Sequence, residues 1–543
     1  MLKPYKGNLA RRLIPLAALF AFGVAPAVAD PTRISVEQFS KDPKKVAALK
    51  KGIASMRARS KAAPMSPAFR TSFAYWANTH GYFGTGTYAT NLKAYIEYRM
   101  PQCLSAYDQP TCNAYYAHMK NVAVPNDGFT DQIWGTCQHS PRPPDPPNYF
   151  FLPWHRIYLH YFERTLRKQS GDPDFALPYW NYYDNYVPSA QGICLPPLVR
   201  GTAAGVLYNQ YRTPGLNQET SLVFMDPSDA DATQAFQYQD FASFSSQLQG
   251  QPHGAMHCAA GSGCTMPDIG FVPFAGNDPL FYLHHANIDR LWQCWMTRKA
   301  NGHAIDLEWA KANLGMPDSW FEKTFSFVDE DGKKVTRSVA DLFNGTITVS
   351  YDNLTNCDAK PTLGEQVRAT RPAALTSALK AGAPTGSQKA VTLGNGNVDV
   401  PLQAVPAVQA NGLTANAVPQ GEPGQSYLIL EDVKLTGSPA LTYKVSIASK
   451  SKPDRLSYIA TFSYFDLGPA HHGHNGDPNA LGTLTYKITA NLAELGIMSA
   501  DDVVVHFEPT DLMVGTKRKV QAAGNGVVVS NIRLETAPTL PTQ

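Results

Sequence analysis

The stretch at residues 278–292, DPLFYLHHANIDRLW, decides how this chain folds. Asp278 is placed to cap a helix, and Pro279 stands at the first helical position, where its missing N–H costs nothing. The apolar residues that follow recur at helical spacing. The run therefore predicts a helix that carries His285 on one of its faces.

A histidine pair lies upstream in PHGAMH, residues 252–257. His253 and His257 are four residues apart, so on a helix both rings would project from one face, and His285 would complete a set of three imidazoles. A zinc protease would need Glu directly after the first histidine as its base, and Gly254 stands there instead. An all-imidazole set favours copper.

Asp289 follows His285 by one helical turn on the same side. Its carboxylate is predicted to accept a ring N–H and so to fix the tautomer of a ligand histidine. The alternative is a surface salt bridge. Both interpretations stay open at this point.

The run at 278–292 resembles the second copper motif of the type-3 copper proteins, which comprise tyrosinases, catechol oxidases and haemocyanins. The resemblance implies that His285 is the ligand and that His284 is its neighbour. Upstream, FLPWHRIYLHYFERTL at 151–166 resembles the first copper motif of the same family and implies a ligand at His155.

Two further matches complete the implied first site. SFAYWANTHGYFG, residues 72–84, is similar to the first ligand helix of the family and nominates His80. GTCQHSP, residues 135–141, nominates His139, and the resemblance implies a thioether between Cys137 and that ring.

The spacing around these two matches departs from the family pattern, because long insertions flank His139. His118 in one insertion is therefore a rival for the first ligand. Cys137 could instead be a disulfide partner or a free buried thiol. His160 lies five residues after His155, which turns it away from the metal.

The resemblance implies two copper ions that act together on dioxygen and a small phenolic substrate. Six histidines would hold the ions: His80, His139 and His155 the first, and His253, His257 and His285 the second. Members of the family oxidise o-diphenols to o-quinones, some also hydroxylate monophenols such as tyrosine at the ortho position, and others carry oxygen. We expect an enzyme that oxidises o-diphenols to o-quinones and also hydroxylates monophenols such as tyrosine. A catechol oxidase without the hydroxylation and a haemocyanin-like oxygen carrier are the alternatives.

Three positions bear on that choice. Val272 stands where several plant catechol oxidases have a bulky Phe, so a substrate ring has room. Strong monophenol hydroxylases tend to have Glu shortly before the first ligand of the second copper and Asn just after it. Here these positions are Gln249 and Gly254, and a neutral amide cannot remove a phenolic proton.

The first 29 residues have the pattern of a secretory signal peptide. Basic residues precede an apolar run, and Ala27, Val28 and Ala29 form a small-residue cleavage site. Arg11 and Arg12 also fit a twin-arginine signal. Removal of this segment takes the formal charge from +3 to −1, which argues against a nucleic-acid or membrane partner. We therefore expect a periplasmic or secreted protein without a membrane anchor, and the sequence carries no signal for its oligomeric state.

Eight cysteines are compatible with a few disulfides in an oxidising compartment. With Cys137 in a thioether, at most three disulfides can form. The local pairs Cys103 with Cys112 and Cys258 with Cys264 are the first candidates.

The predicted fold is a mainly α copper domain with a four-helix-bundle core, followed by a C-terminal all-β sandwich. The predicted boundaries are 30–310 for the copper domain, 311–368 for a middle segment with a hairpin, 369–424 for a linker rich in Ala, Pro and Gly, and 425–543 for the β domain. The β domain resembles the segment that covers the active site of plant polyphenol oxidases. Its candidate lid residues are Tyr464 and Phe465, and its cluster of His471, His472 and His474 is expected to be a solvated loop.

Overall fold

The computed structural model describes residues 31–82, 88–104, 108–117, 127–138, 149–264, 266–355, 357, 385–386, 389–394, 396–404, 424–436, 442–463, 465, 480–510, 513–514 and 526–536. The predicted signal peptide and the cluster of His471, His472 and His474 lie outside these residues. In the described part of the chain, no helix has both the length and the apolar character needed to span a bilayer.

Helices are the main regular structure in the described part of the chain up to residue 322, as predicted. The described helices are α1 (Val36–Phe39), α2 (Pro43–Arg59), α3 (Pro67–Arg70), α4 (Phe73–His80), α5 (Tyr88–Leu104), α6 (Gln109–Ala117), α7 (Phe151–Ser170), α8 (Thr233–Phe236), α9 (Phe241–Leu248), α10 (Ala255–Ala260), α11 (Pro279–Ala300), α12 (Leu307–Asn313), α13 (Asp318–Glu322) and, far downstream, α14 (Thr489–Leu495).

Helix α11 begins where the sequence predicts. The carboxylate of Asp278 accepts a hydrogen bond from the backbone N–H of Leu280 at 2.8 Å, and Pro279 occupies the first turn. Arg212 donates to the same carboxylate at 2.7 Å, and both side chains are fully buried. The charged cap is therefore neutralised inside the protein and fixes the start of the helix.

Helices α7 and α11 pack together through aromatic rings. Tyr282 stacks on Phe162 with ring centroids 3.6 Å apart, and its hydroxyl lies 3.1 Å from that of Tyr158. The Tyr158 hydroxyl also donates to the backbone carbonyl of Trp76 in α4 at 2.7 Å. These contacts set three helices that carry candidate ligands at fixed positions relative to one another.

Asp289 does not serve the role that the sequence predicts. Its carboxylate accepts from Arg156 at 2.5 Å, from Arg33 at 3.2 Å and from the Tyr351 hydroxyl at 2.6 Å, all in the buried interior. The Nδ1 atom of His285 has no hydrogen-bond partner. The carboxylate is thus fully used in a buried ion network, and it is neither a ring acceptor for His285 nor part of a surface salt bridge.

The strands lie mainly in the last third of the chain. They are β1 (Tyr186–Val187), β2 (Gly192–Ile193), β3 (Phe224–Met225), β4 (Thr324–Val328), β5 (Lys334–Ser338), β6 (Thr385–Gly386), β7 (Val391–Leu393), β8 (Val398–Pro401), β9 (Gln403–Ala404), β10 (Ser426–Leu435), β11 (Thr442–Ser449), β12 (Lys452–Phe462), β13 (Ala480–Lys487), β14 (Val503–Thr510), β15 (Met513–Val514), β16 (Val527–Val529) and β17 (Asn531–Thr536). Strands β4 and β5 form the predicted hairpin.

Two sheets form the C-terminal β region, as the predicted sandwich requires. One has the order β7-β16-β10-β17-β6-β9 with β13 also paired to β10, and the other has the order β12-β11-β14-β8. Leu428 and Leu430 of β10 point into the core between the sheets, whereas Tyr427 and Ile429 join the core of the helical domain. Because strand residues alternate between faces, β10 is buried on both sides. The β region is therefore packed directly on the helical domain.

Four strands, β6 to β9, lie inside the segment 369–424 that the sequence predicts to be a linker. Strand β8 pairs with β14, and β7 pairs with β16, so both belong to the C-terminal sheets. The β region thus begins before residue 425, by residue 385 at the latest. Runs of two to four residues are too short for alternation to stand out in an Ala- and Pro-rich stretch.

Side chains of the helical domain hold the edge of the β region. Gln247 donates to the carbonyl of Thr485 at 2.6 Å, and Gln234 donates to that of Lys487 at 3.0 Å. Lys444 forms an ion pair with Asp226 at 2.6 Å. Strand β15 extends the small sheet β1-β2-β3. The two domains therefore share hydrogen bonds as well as apolar contacts.

Three disulfides are present among the described residues. Cys103–Cys112 and Cys258–Cys264 confirm the two predicted local pairs, and Cys294–Cys357 adds a third, which ties α11 to the segment after the hairpin. Cys137 is buried, and Cys194 is a buried free thiol.

The Asp289 network yields a stability prediction. We expect Asp289→Ala to lower the free energy of unfolding by about 3 to 5 kcal/mol, because it leaves buried arginine charges without their partner. Urea unfolding of the purified protein measures this value. Asp318→Ala, which removes an ion pair with Lys311 on the exposed surface, is the control and should leave the midpoint nearly unchanged. A similar small effect of both substitutions would contradict this account.

Candidate metal centre

Four buried histidines meet at the second predicted site. His253, His257, His284 and His285 each bring a ring nitrogen within 4.8 Å of the others. The sequence predicts one helix for the first two, but His253 lies in a π-helical segment, Gln249–Gly254, that precedes α10. Their rings are nevertheless neighbours, with centroids 4.7 Å apart.

A second group of buried histidines adjoins the first. His80, the last residue of α4, and His155 of α7 bring ring nitrogens within 4.8 Å of each other and of His285. The His285 ring stacks on that of His155 with centroids 4.4 Å apart, and its Nε2 lies 3.4 Å from Nε2 of His257. His285 is therefore common to both groups, and the histidines form one continuous centre.

Backbone carbonyls fix the orientation of three of these rings. The Nδ1 atom of His155 lies 2.7 Å from the carbonyl oxygen of Phe151. The Nδ1 atom of His253 lies 3.0 Å from that of Gln249, and the Nδ1 atom of His257 lies 2.7 Å from that of Ile269. A carbonyl can only accept, so in each ring Nδ1 carries the hydrogen and Nε2 keeps its lone pair. These Nε2 atoms are thus prepared to bind a metal ion.

The buried environment favours the uncharged form of two rings, those of His284 and His285. Burial lowers the pKa of His284 and of His285 well below the ordinary value, and the rings of His155 and His253 lower the pKa of each further. Neutral imidazoles in a dry pocket are the form that divalent and monovalent copper bind. The donor set therefore fits a pair of copper ions.

The first predicted site extends beyond the described residues. His139 and its rival His118 lie outside the described residues. Cys137 is a buried thiol whose Sγ lies 3.5 Å from Nε2 of His155, so it stands at the edge of the centre. His160 is buried on α7 but belongs to neither histidine group, as the sequence predicts.

Aromatic rings enclose the centre. Phe281 lies 4.2 Å from the His285 ring and 4.7 Å from the His80 ring, and Phe151 lies 4.7 Å from the His253 ring, measured between centroids. Sequence analysis did not single out these two residues as functional. Each stands four residues before a ligand on its helix, and that spacing is the signal that could have found them.

Three residues are predicted to affect how a substrate reaches the metals, and they lie in different surroundings. Val272 is buried in the segment Val272–Asn277, which approaches the end of α4 so closely that a side chain at Gly81 would overlap the Pro273 backbone. Gln249 contributes its backbone carbonyl to His253. Gly254 faces the β region, where a Cβ atom would lie 2.7 Å from the Ser463 Oγ.

One of the two candidate lid residues lies on the centre. Phe465 is 2% exposed and stacks on the His257 ring with centroids 3.8 Å apart and planes at 8°. Its ring also lies 5.5 Å from that of His253. Tyr464 lies outside the described residues.

Gln251 connects this part of the β region to the ligand segment. Its side-chain amide donates to the Tyr458 hydroxyl at 2.8 Å, and its carbonyl accepts from the backbone N–H of Thr461 at 2.9 Å. Gln251 stands two residues before His253. The second predicted site and the β region are therefore held together by hydrogen bonds next to His253, a predicted ligand.

Comparison with known proteins adds an independent observation. The family model for the common central domain of tyrosinase matches residues 70–219 and 195–298, the part of the chain that holds the histidine centre. The latent form of a chloroplastic polyphenol oxidase from Prunus armeniaca is 26% identical over 431 residues, which are 72% of this chain and 65% of the relative. The chain belongs to the tyrosinase and polyphenol oxidase family of type-3 copper proteins.

Other members of the family agree. A tyrosinase of Hahella sp. (strain CCB-MM4) is 29% identical over 243 residues, which are 40% of this chain and 46% of the relative. The structure of latent apple tyrosinase superposes with a TM-score of 0.52 at 19% identity and covers 94% of this chain and 98% of its own. That fold likeness extends over the β region as well as the copper domain of this tyrosinase-family chain.

The buried histidines predict a pH dependence for the metal-free protein. His284 and His285 stay neutral when folded but take up protons when unfolded below pH about 6.5, so stability should be lost as the pH falls below that value. Each ring contributes a slope of up to about 1.4 kcal/mol per pH unit. Chemical unfolding between pH 8 and pH 5 measures it.

The matched variants for this measurement are His284→Asn and His303→Asn. The first should reduce the slope, because it removes one buried ring, and the second should not, because His303 is exposed on the surface. Equal slopes in all three proteins would show that the buried rings do not govern the effect.

Proposed function

We propose that this protein is an exported phenol oxidase that uses two copper ions and dioxygen to convert o-diphenols to o-quinones. In the same proposal it also hydroxylates monophenols such as tyrosine at the ortho position, at a lower rate. The observation that carries the proposal is the pair of adjoining, buried, all-imidazole groups that share His285.

The copper ions would be held by His80, His139 and His155 on one side and by His253, His257 and His285 on the other. Copper would supply the electron exchange with dioxygen that no side chain can perform. The chain's own residues have other tasks. The carbonyl partners of His155, His253 and His257 hold the ring nitrogens in the binding direction, and Phe281 and Phe151 exclude water from the centre.

Oxidation of a catechol needs a place for its ring beside the metals. Val272 provides space that a larger side chain would fill, and the Phe465 ring occupies a stacking position on His257 that a planar phenol would also fit. The substrate would therefore replace Phe465. The product chemistry balances when two diphenols deliver four electrons and four protons to one dioxygen and give two quinones and two waters.

Residue 249 favours diphenol oxidation over monophenol hydroxylation. The amide of Gln249 is neutral, so it cannot take the phenolic proton as a carboxylate would. A catechol oxidase without hydroxylase activity is therefore the second candidate. A type-3 oxygen carrier is less well supported, because a carrier needs no substrate space beside its metals.

We also propose that the C-terminal β region keeps the enzyme latent. Phe465 acts as the lid residue on the second copper site, and the adjoining Tyr464 would border the entrance. Gln251 and Thr461 anchor this segment next to His253. A phenol can reach the metals only after the segment moves.

Two further proposals concern processing. Residues 1–29 would direct export, and the three disulfides support an oxidising compartment. A thioether between Cys137 and His139 would restrict the rotation of that ligand ring. Cys137 is buried with its Sγ 3.5 Å from Nε2 of His155, and this position beside the centre supports the proposal.

Dioxygen uptake tests the proposed activity. The copper-loaded protein, freed of latency by a substitution in the lid, should consume dioxygen at once with L-DOPA and more slowly, after a lag, with L-tyrosine. His257→Asn should abolish both activities, since it removes a ligand. Uptake with L-DOPA alone would make the protein a catechol oxidase, and reversible oxygen binding without any quinone would make it a carrier.

Phe465→Ala tests the lid. Loss of the stacked ring should weaken closure by about 1 to 3 kcal/mol. Since 1.4 kcal/mol corresponds to a factor of ten, kcat/KM for catechol in the intact chain should rise about tenfold or more. Leu456→Ala is the control, because that residue lies on β12, the strand that precedes Phe465, and its side chain is 43% exposed. Equal rates for the wild type and Phe465→Ala would refute the lid role.

A further inference from the structure

The second site contains four histidines, one more than the proposed copper site uses. Four imidazoles, those of His253, His257, His284 and His285, lie within mutual reach, although the proposed site uses three. The His284 ring is stacked against that of His253, with centroids 5.5 Å apart, and meets that of His257 edge to face at 4.5 Å. Its Nε2 is buried and has no hydrogen-bond partner. Something must decide whether this nitrogen binds the metal.

A chain of hydrogen bonds leads to the other nitrogen of that ring. Arg290 donates to the Oδ1 of Asn287 at 3.1 Å, and Arg290 itself is held by the carbonyl of Asn353 at 2.9 Å. Asn287 is hydrogen-bonded to Tyr182, and the Tyr182 hydroxyl lies 2.9 Å from Nδ1 of His284. All of these groups except Asn353 are buried in the protein interior.

The direction of each bond in the chain follows from the donor inventory. A guanidinium has only donors, so the Asn287 atom that faces Arg290 is its oxygen, and its NH₂ group remains to donate to Tyr182. The Tyr182 oxygen then accepts from Asn287, and its own hydrogen is directed at Nδ1 of His284. In a neutral ring whose Nδ1 accepts, Nε2 must carry the hydrogen.

We propose that Tyr182 is a positioning residue that keeps His284 from binding the second copper. With its Nε2 protonated, His284 presents an N–H to the centre rather than a lone pair, and the second copper is left with three imidazoles. This inference rests on the proposed function. It extends that function by identifying what preserves the vacant coordination position that dioxygen and a phenol need.

His285 differs from His284 in this respect. Its Nδ1 receives no hydrogen bond, and its Nε2 lies 3.4 Å from the Nε2 of His257. No donor therefore occupies Nδ1 of His285, and this nitrogen can take up the ring hydrogen when Nε2 binds a metal ion. The two adjacent histidines of the motif are thus assigned opposite roles by their surroundings.

The test counts ligands at the second site with Cu(II) as the probe. In the full-length chain carrying His80→Ala, which disables the first site, a single bound Cu(II) gives an electron paramagnetic resonance signal whose hyperfine pattern reports its nitrogen ligands. We expect three imidazoles with Tyr182 present. Adding Tyr182→Phe releases His284 and should give four, with tighter Cu(II) binding in chelator competition.

The sign of the affinity change separates this role from a merely structural one. Loss of a supporting hydrogen bond around a metal site ordinarily weakens metal affinity by about 10- to 100-fold, whereas a fourth imidazole should strengthen it. Adding His284→Asn to Tyr182→Phe should return the count to three and reverse the gain. Tyr183→Phe is the matched control, because the Tyr183 hydroxyl donates to the carbonyl of Pro227, away from the centre.

Two outcomes would overturn the inference. One is a count of four imidazoles when Tyr182 is intact, and the other is an unchanged count and unchanged or weaker binding in Tyr182→Phe. Nitrogen NMR of the metal-free protein, labelled at histidine, gives the His284 tautomer directly if the variants fold poorly. A wild-type protein that binds two Cu(II) ions and oxidises catechol would leave the proposed function standing in either case.

Discussion

The buried carboxylate of Asp289 holds together the two helices on which the metal centre depends. It joins α11 to Arg156 of α7 and to Arg33 near the start of the described chain, while the Tyr351 hydroxyl closes the network from the segment after the hairpin. His155 lies one residue before Arg156, and His285 lies one turn before Asp289. The ion network therefore fixes the separation of His155 and His285, two predicted ligands whose rings stack on each other, without touching either ring.

The β region is fixed to the helical domain by buried apolar side chains with polar contacts around them. Strand β10 divides its side chains between two cores. The sheet that contains β10 therefore cannot leave the helical domain without exposing Tyr427 and Ile429. Hydrogen bonds from Gln247 and Gln234, and the ion pair of Lys444 with Asp226, border this apolar contact. The apolar area supplies most of the attraction, and the polar groups fix the register.

Sequence reasoning found the centre because spacing between histidines is a local property. His253, His257 and His285, and the Asp278 cap, could be predicted from residues a few positions apart, as could the main strands of the β region. The partner of Asp289 could not, because Arg33 and Arg156 are distant in sequence and only packing brings them together. The short strands β6, β7 and β8 were missed for the same reason, since each pairs with a strand far along the chain, and β9 was missed with them because it pairs with β6. The difference between His284 and His285 also depends on a distant residue, Tyr182.

Gly254 illustrates how one small residue would link the proposed latency to the proposed chemistry. It follows the ligand His253 directly, and a Cβ atom there would lie 2.7 Å from the Ser463 Oγ and 3.4 Å from the Phe465 Cβ. The family's strong hydroxylases tend to have an amide side chain at this point. In this chain such a side chain would have to displace the Ser463 hydroxyl beside Phe465, so a shift towards tyrosine hydroxylation would require a rearranged contact between residue 254 and the β region. At this position, a side chain that would widen the substrate range and the contacts that would keep the site closed compete for the same space.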